Sequence, residues 1–284
     1  MTTSTLRGTT PPPSANHHRS TPALQARFGP WAVVTGGSSG IGLAIARRLA
    51  SDGIHLVLVA RDGAALETAA ADMRRECGIE ARSIALDLAK PESIGALLDG
   101  TAALDIGLFV AAAGYGTSGL FIDSSIDEEL AMLYVNCRAV TALTHGYARR
   151  FAARGRGGIV LMSSIVAFQG TPYAAHYSAT KAYVQTLADG LHVELAPRGV
   201  SVLASAPGPT NSGFAARAGM RMGAALTPDD VARGTLAALG NRSTVLPGML
   251  SKVLTWSLSP LPRWARVRIM GTVMRGMTSH QRPA

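Results

Sequence analysis

Cysteine, aromatic residues and charged residues are all scarce in this sequence. It has two cysteines, and charged residues make up 16% of its 284 positions. Cys77 and Cys137 form no CxxC pair and no cluster with histidine, which argues against a disulfide framework and against a metal site of the zinc type. No uninterrupted apolar run reaches the roughly 18 residues of a membrane span. We therefore expect a globular protein, soluble or peripheral to a membrane, in a reducing cytoplasm.

Acidic residues are absent from both ends of the chain. Residues 1–29 contain three arginines and no acid, and residues 231–284 contain eight basic residues and no acid. Residues 30–230 are nearly neutral, so the net charge of +9 comes from the two ends. Nucleic-acid binding would need a basic face on a recognisable binding module, and no such motif is present. We therefore expect no nucleic-acid partner.

The first 29 residues lack the apolar periodicity of a helix or strand. Pro11, Pro12 and Pro13, with scattered serine and threonine, predict a disordered leader over residues 1–29. The Arg-, Ser- and Thr-rich composition is also typical of an organellar transit peptide, although no amphipathic helix is evident. The segment has no apolar core of a secretory signal. The disordered leader is the interpretation that we favour.

Residues 30–248 alternate short apolar runs with helical patterns. The runs are nearly continuous in Val, Ile, Leu and Ala, as in parallel strands that helices cover on both faces. They lie at residues 31–35, 54–60, 81–86, 106–112, 158–163, 200–205 and 243–246. The predicted fold is α/β: one doubly wound Rossmann domain over residues 30–248, with a central seven-stranded parallel sheet. A basic amphipathic C-terminal extension follows over residues 249–284.

A glycine-rich turn follows the first strand. Residues 35–42 read TGGSSGIG, and a helical pattern continues from them. Glycines at 36, 40 and 42 let the backbone approach a pyrophosphate, which the free N–H groups of the helix N-terminus then bind. A purely structural tight turn is the alternative. The strand, turn and helix together predict a nucleotide phosphate site made of Gly36, Ser38, Ser39, Gly40, Ile41 and Gly42.

The end of the second strand predicts NADP(H) in preference to NAD(H). A carboxylate there would bind the ribose 2′-hydroxyl of NAD, whereas this chain has Ala60 followed by Arg61. A guanidinium can bind a 2′-phosphate through two hydrogen bonds, although Arg61 could also do no more than solvate a loop. Asp62 is expected to cap the next helix. Asp87, after the third strand, is either an adenine contact or an ordinary strand-end residue.

Tyr177 and Lys181 stand one helical turn apart within residues 173–195, which have helical periodicity. A free phenol has a pKa of about 10, so a tyrosine that exchanges protons near neutral pH needs a lower pKa. An ammonium one turn away favours the phenolate and shifts the pKa in that direction. The chain has only two other lysines, Lys90 and Lys252. The pair therefore predicts proton transfer at Tyr177.

Taken together, these motifs resemble the short-chain dehydrogenase/reductase family over residues 31–248. TGGSSGIG matches the family's cofactor turn, and Tyr177 with Lys181 matches its YxxxK motif. Pro207-Gly208-Pro209-Thr210 matches the segment that covers the nicotinamide. Ser164, after the fifth strand, and Asn136, in a helical segment, match the family's two other catalytic positions.

The resemblance implies an NADP(H)-dependent oxidoreductase that interconverts a ketone or aldehyde and an alcohol by hydride transfer. Tyr177 would exchange the proton with the substrate oxygen, and Ser164 would hydrogen-bond that oxygen. Lys181 would hold the nicotinamide ribose, and Asn136 would fix Lys181 through water. The implied cofactor contacts also include Leu88, Ala113, Gly114, Pro207, Gly208 and Thr210. We also expect a homodimer or homotetramer.

One segment departs from the family's pattern. Where the family usually carries Asn-Asn-Ala-Gly after the fourth strand, this chain has Ala111-Ala112-Ala113-Gly114. The change removes two amide side chains whose hydrogen bonds tie the central sheet, each worth about 1 kcal/mol. No catalytic residue is missing.

The substrate pocket is expected beyond the carboxyl ends of strands four to six. The loops there supply a mostly apolar wall, which predicts a lipophilic ketone, aldehyde or secondary alcohol, although many of these side chains could instead be core. The wall has two arginines, Arg217 and Arg221. Its apolar members are Tyr115, Leu120, Phe121, Ile165, Phe168, Tyr173, Phe214, Met220 and Met222.

The C-terminal extension mixes apolar and basic residues. Pro260 and Pro262 are expected to divide it into two short helices, in which Trp256 and Trp264 stand among arginines. This composition is typical of a helix in a lipid interface, and equally of a lid or a dimer-packing helix. Peripheral membrane contact through residues 249–277 is therefore one of three interpretations.

Two functions other than catalysis stay open at this point. The chain could be a catalytically silent NADP-binding sensor, or a regulatory protein that the basic extension recruits to a membrane. A sensor has no need to retain Ser164, Tyr177 and Lys181 together. Their joint presence therefore favours the enzyme.

Overall fold

Seven parallel strands form one sheet in the order β3-β2-β1-β4-β5-β6-β7. The computed structural model describes residues 23–221 and 223–281. Strand order reverses between β1 and β4, which confirms the predicted doubly wound Rossmann-type sheet. The last strand pairs with β6 through two residues only. The strands are β1 (Trp31–Thr35), β2 (His55–Ala60), β3 (Ala81–Ala85), β4 (Ile106–Ala111), β5 (Gly157–Met162), β6 (Val200–Ser205) and β7 (Thr244–Val245).

Helices connect the strands and cover both faces of the sheet. They are α1 (Ala23–Phe28), α2 (Gly40–Ser51), α3 (Gly63–Cys77), α4 (Glu92–Gly100), α5 (Ile126–Leu133), α6 (Val140–Ala153), α7 (Ala175–Leu195), α8 (Phe214–Arg217), α9 (Pro228–Ala238), α10 (Gly248–Leu258) and α11 (Arg263–Met277). Val34 and Leu58 pack in a core with α2, α3 and α9. Val33 and Val57 pack on the opposite face with α4, α6 and α7. Because successive strand residues enter different cores, the strands are apolar throughout.

The start of α3 follows the prediction for Asp62, and other helix ends have caps of the same kind. Asp62 accepts a hydrogen bond from the Ala65 N–H at the start of α3 (3.0 Å), and Gly78 ends that helix in the left-handed conformation. Thr227 caps α9 in the same way, with Pro228 at the first helical position. Each cap supplies a partner to a backbone group that the helix end leaves free.

The prediction of a disordered leader over residues 1–29 is wrong for the last residues of that range. Residues 23–28 form α1, and the Phe28 side chain is 2% exposed. A Cβ added at Gly158 would lie 2.8 Å from the Phe28 ring, so the ring packs directly on β5. The folded part therefore begins before residue 30. A six-residue helix with one buried side chain is too short to show apolar periodicity in the sequence. Residues 1–22 lie outside the described part of the chain.

Thr35 ties the strand ends at the segment where the chain departs from the pattern of the family that it resembles. Its hydroxyl donates to the Val110 carbonyl (3.3 Å) and accepts from the Ala113 N–H (3.2 Å). This bridge between β1 and β4 does not require the missing amide side chains. Ala111 itself is buried, 4% exposed.

The C-terminal extension folds back onto the domain as a hairpin of α10 and α11. The Ser251 hydroxyl on α10 accepts a hydrogen bond from the Gly208 N–H (2.8 Å). After α11, the Gln281 amide donates to the Gly219 carbonyl (2.6 Å) and to Ser118 (3.0 Å). Two helices separated at Pro260 and Pro262 match the predicted division. Within the described ranges, no helix combines the length and apolarity needed to cross a bilayer.

Replacing Phe28 with Ala tests whether α1 belongs to the folded domain. Removing a buried phenylalanine costs about 3–5 kcal/mol, so we expect urea denaturation to show that loss in the free energy of unfolding. The matched control is Phe121→Ala, at a ring that is 58% exposed. It should change stability by no more than about 0.5 kcal/mol. Similar effects of the two substitutions would contradict the packing of Phe28.

Candidate active site

The glycine turn between β1 and α2 is built by close backbone contacts. Gly36 has a φ of 70°, and a Cβ added at Gly42 would lie 2.2 Å from the Gly36 carbonyl oxygen. Only glycine fits at these two positions. Ser39 precedes α2 in an extended conformation, and its side chain caps no backbone N–H. The first N–H groups of α2 are therefore left for an anionic ligand.

A groove of about 490 Å³ lies beside this turn. Its size and its free N–H groups fit a dinucleotide. Arg61 and Asp87 stand on its wall, as the sequence predicted. The other predicted cofactor residues that line it are Gly36, Ser38, Ser39, Gly40, Ile41, Gly42, Leu88, Ala113 and Gly114.

Arg217 lies in the same groove, where the sequence analysis did not place it. Its guanidinium stacks on the Tyr115 ring at 4.5 Å. Burial lowers the pKa of Arg217, and the positive charge of Arg61 lowers it further. The two guanidiniums are therefore close enough to repel each other, and they suit one shared anion. The sequence analysis placed Arg217 in the wall of the substrate pocket instead, because local patterns do not give the path of the chain after β6.

A second cavity, of about 340 Å³, joins the groove. Ile41, Gly114 and Phe214 line both spaces. The cavity contains the predicted catalytic residues Ser164, Tyr177 and Lys181. The predicted cofactor residues Pro207, Gly208 and Thr210 also line it, and not the groove.

Three elements bring the catalytic side chains together. Ser164 follows β5, and its hydroxyl is hydrogen-bonded to the phenol of Tyr177 on α7. Lys181 lies one turn further along α7, where its ammonium donates to the Met162 carbonyl (2.8 Å). The Tyr177 ring packs against Phe214 with 5.2 Å between ring centroids. The side chains of α7 thus meet the end of β5 inside the cavity.

Burial sets the acidity of both groups on α7. It raises the pKa of Tyr177, and the hydrogen bond from Ser164 opposes that rise only in part. It also lowers the pKa of Lys181 to about 8. The expectation that the ammonium lowers the Tyr177 pKa is therefore wrong for this structure, because Nζ lies 5.9 Å from the ring centroid and desolvation dominates. At neutral pH the phenol carries its proton.

Asn136 lies in a π-helical turn, residues 134–139, between α5 and α6. Its side-chain amide donates to the Tyr115 carbonyl (2.8 Å) and to the Thr180 hydroxyl (3.0 Å). Its side-chain oxygen accepts from the Tyr115 N–H (3.2 Å). Asn136 is buried, and it ties the segment after β4 to α7 next to Lys181. Its predicted link to Lys181 through water stays a prediction.

The predicted pocket wall is partly different from the observed one. Ile165, Phe214 and Met220 line the cavity, whereas Tyr115 lines the groove. The side chains of Leu120, Phe121 and Tyr173 line a separate cleft against α11, and Phe168 lines neither that cleft nor the cavity. Arg221 lines neither space, and Met222 lies outside the described residues.

The hairpin of α10 and α11 supplies the rest of the cavity wall. The sequence alone is compatible with a lid, a dimer-packing helix or a membrane helix. The structure places its inner face over Tyr177, so it covers the cavity. The inner face consists of Leu254, Leu258, Met270, Met274 and Met277.

Comparisons with known proteins agree with this architecture. The short chain dehydrogenase family model matches residues 30–222. The 7beta-hydroxysteroid dehydrogenase of Clostridium sardiniense is 31% identical over 236 residues, which cover 81% of this chain and 89% of that protein. The very-long-chain 3-oxoacyl-CoA reductase of Podospora anserina is 37% identical over 179 residues, which cover 61% of this chain and 53% of that protein.

A solved structure gives the same result. A short-chain dehydrogenase from Sphingobium yanoikuyae, in complex with NADPH, superposes with a TM-score of 0.75 at 32% sequence identity. The match covers 85% of this chain and 95% of that one. Because the family model spans most of the folded domain and relatives match across most of the chain, this protein belongs to the short-chain dehydrogenase/reductase family of oxidoreductases, which act on hydroxyl and carbonyl groups.

Proposed function

We propose that this protein is an NADP(H)-dependent reductase of lipophilic ketones or aldehydes that also catalyses the reverse oxidation of the alcohols. The observation that carries the proposal is the position of the Tyr177 phenol. It stands beside Ser164 in an apolar cavity that opens into the groove with the glycine turn. A hydride donor in the groove and a carbonyl in the cavity would therefore meet at Tyr177.

The groove residues suit NADP(H) better than NAD(H). The free N–H groups of α2 would hold the pyrophosphate, and the guanidiniums of Arg61 and Arg217 would hold the 2′-phosphate. The Asp62 carboxylate, which would repel that phosphate, is engaged as the cap of α3. When bound, the nicotinamide supplies or accepts the hydride. The NADPH complex of the similar Sphingobium yanoikuyae enzyme supports this choice.

The proton would pass through Tyr177. The Ser164 hydroxyl and the Tyr177 phenol would both donate hydrogen bonds to the substrate carbonyl oxygen, and so stabilise the negative charge that develops there. Because burial raises the pKa of Tyr177, the phenol holds its proton until that oxygen becomes basic enough to take it. Lys181 would hold the ribose of the cofactor beside the cavity.

The cavity wall favours an uncharged, bulky substrate. Among the described residues that line it, Lys181 is the one side chain that carries a charge at neutral pH. A carboxylate or phosphate deep in the cavity would therefore have few partners. Two relatives are named for a hydroxysteroid and a very-long-chain oxoacyl substrate. Both names agree with a large lipophilic carbonyl compound.

A silent nucleotide sensor explains less of the structure. Burying the Lys181 ammonium lowers the stability of the fold, and a protein that catalyses no reaction has no reason to retain that burial.

Oligomeric state and cytoplasmic localisation stay predictions.

Tyr177→Phe removes the proton donor and keeps the ring that packs on Phe214. We expect NADPH-dependent reduction of hydrophobic ketones to fall by about 10²- to 10⁴-fold, with NADPH binding retained. NADPH absorbance would follow turnover of a panel that includes a steroid ketone and a 3-oxoacyl thioester. Tyr183→Phe, which alters a 45% exposed tyrosine on the same helix, is the matched control and should keep full activity. Undiminished turnover by Tyr177→Phe would refute the proton-transfer role.

Arg61→Ala should weaken NADPH binding and leave NADH binding unchanged, because only NADPH carries the 2′-phosphate. The expected loss is about tenfold to a hundredfold, as for hydrogen bonds to a charged group. Fluorescence titration with both nucleotides measures it. Arg82→Ala, an exposed arginine on β3 outside the groove, is the control. Equal weakening for both nucleotides would show that Arg61 does not recognise the phosphate.

Lys181→Met should stabilise the cofactor-free protein while abolishing activity. The folded-state pKa of about 8 lies below the ordinary 10.5, so the burial penalty is full below pH 8, declines between pH 8 and 10.5, and is absent above that. The lowered pKa of Lys181 corresponds to a burial penalty of about 3 kcal/mol, which the substitution removes. The substitution also loses the hydrogen bond to Met162, which costs about 1 kcal/mol of stability.

Denaturation of the variant and the native chain at several pH values checks this expectation. A gain of about 2 kcal/mol at pH 7 that vanishes at high pH is expected. The control, Lys90→Met, alters an exposed lysine and should show no such pH dependence. A destabilised Lys181→Met at pH 7 would mean that the ammonium contributes to the fold.

A further inference from the structure

Large apolar side chains stand exposed on the outer side of the α10–α11 hairpin. Three on α10 recur at helical spacing, so they share one face of that helix. Trp256 is 63% exposed and Trp264 on α11 is 65% exposed. Such exposure is unusual for tryptophan on a surface that faces water. We call these side chains the hairpin patch: Met249, Val253, Trp256, Trp264, Ile269 and Val273.

The charge on the hairpin itself is of one sign. Residues 231–284 contain eight basic residues and no acid. Arg263, Arg268 and Arg275 are exposed on α11, and Arg268 stacks on the Trp264 ring at 5.5 Å. Tryptophan and aliphatic side chains flanked by arginine fit the interface of an anionic bilayer, where the rings enter the headgroup region and the cations meet lipid phosphates.

A second copy of this chain fits the hairpin patch less well. A symmetric dimer contact brings the same surface of both chains together. It would therefore place arginines opposite arginines, with no acid from residues 231–284 to separate them. Charge complementarity favours the membrane.

The cavity reaches the surface within the hairpin patch. Ile269 and Val273 line the cavity and are also 40% and 49% exposed. Ser257 on α10 also lines the cavity and is exposed. The inner wall behind them is apolar through Leu254 and Met274. An apolar path therefore runs from the hairpin patch towards Tyr177.

We propose that the hairpin patch docks in the surface of an anionic membrane, with the mouth of the cavity facing the lipid. A lipophilic carbonyl compound dissolved in the bilayer would then enter the cavity without crossing water. The entry route rests on the proposed function, whereas the docking does not. The hairpin lies in the interface and does not span it.

Sedimentation with vesicles of equimolar phosphatidylcholine and phosphatidylserine tests the docking on the full chain. Two double variants remove the two contributions separately: Trp256→Ser with Trp264→Ser, and Arg263→Glu with Arg275→Glu. We expect each to weaken vesicle binding at least about tenfold. None of these four side chains lines the cavity, so reduction of a water-soluble ketone should stay unchanged. Deleting the hairpin is unsuitable, because Met274 is part of a buried cluster.

The matched control carries Val193→Ser with Arg198→Glu, two exposed positions at the end of α7 and just after it. It should bind vesicles like the native chain. The proposal would be overturned if the native protein did not bind these vesicles, or if the double variants bound them as well as the control does. A hairpin variant that instead changes the molecular mass in solution would assign the patch to contacts between copies, and would overturn it too. Vesicle binding without ketone reduction would leave the docking standing and refute the proposed function alone.

Discussion

Exclusion of water from Tyr177 and Lys181 is the constraint on which the rest of the site depends. A phenol and an ammonium one turn apart would stay close to their ordinary acidities on an exposed helix. In this protein the hairpin and Phe214 cover them, and burial raises the pKa of Tyr177 while it lowers that of Lys181, so the two pKa values move apart. In this low-dielectric setting a hydrogen bond from Ser164 acts more strongly than it would in water. Burial under the hairpin and Phe214 lowers the stability of the fold, and it also strengthens the few polar contacts in the site.

The parallel sheet decides where this covered site can form. All seven strands present their carboxyl ends at one edge, so the turn after β1, the segment after β4 and Ser164 after β5 meet there. Thr35 holds the first two of these ends together through Val110 and Ala113. Glycine at 36 and 42 then removes the side chains that would keep the turn and α2 apart. The shape of the groove is thus set by the backbone.

Features encoded locally could be predicted from the sequence. Continuous apolar runs predicted the strands because both faces of the sheet are covered. Asp62 could be predicted as a cap because its partner, the Ala65 N–H, lies three residues further along the chain. Tyr177 and Lys181 were found by their spacing. Features that depend on distant contacts were missed. Phe28 is buried only because β5 passes over it, and Arg217 reaches the groove only through the path of the chain after β6.

The acidity of Tyr177 shows the same limit in energetic terms. Sequence spacing places an ammonium one helical turn from the phenol, but it carries no information on how much water surrounds either group. The hairpin and Phe214 exclude that water, and the hairpin begins about 70 residues further along the chain. The hairpin is apolar on its inner face, where it closes the cavity, and apolar with basic neighbours on its outer face. A helix that is apolar on both sides is stable in water only at a cost, and that cost falls when the outer face has a partner. The segment that sets the chemistry of the site is therefore also the segment through which a partner would act on it.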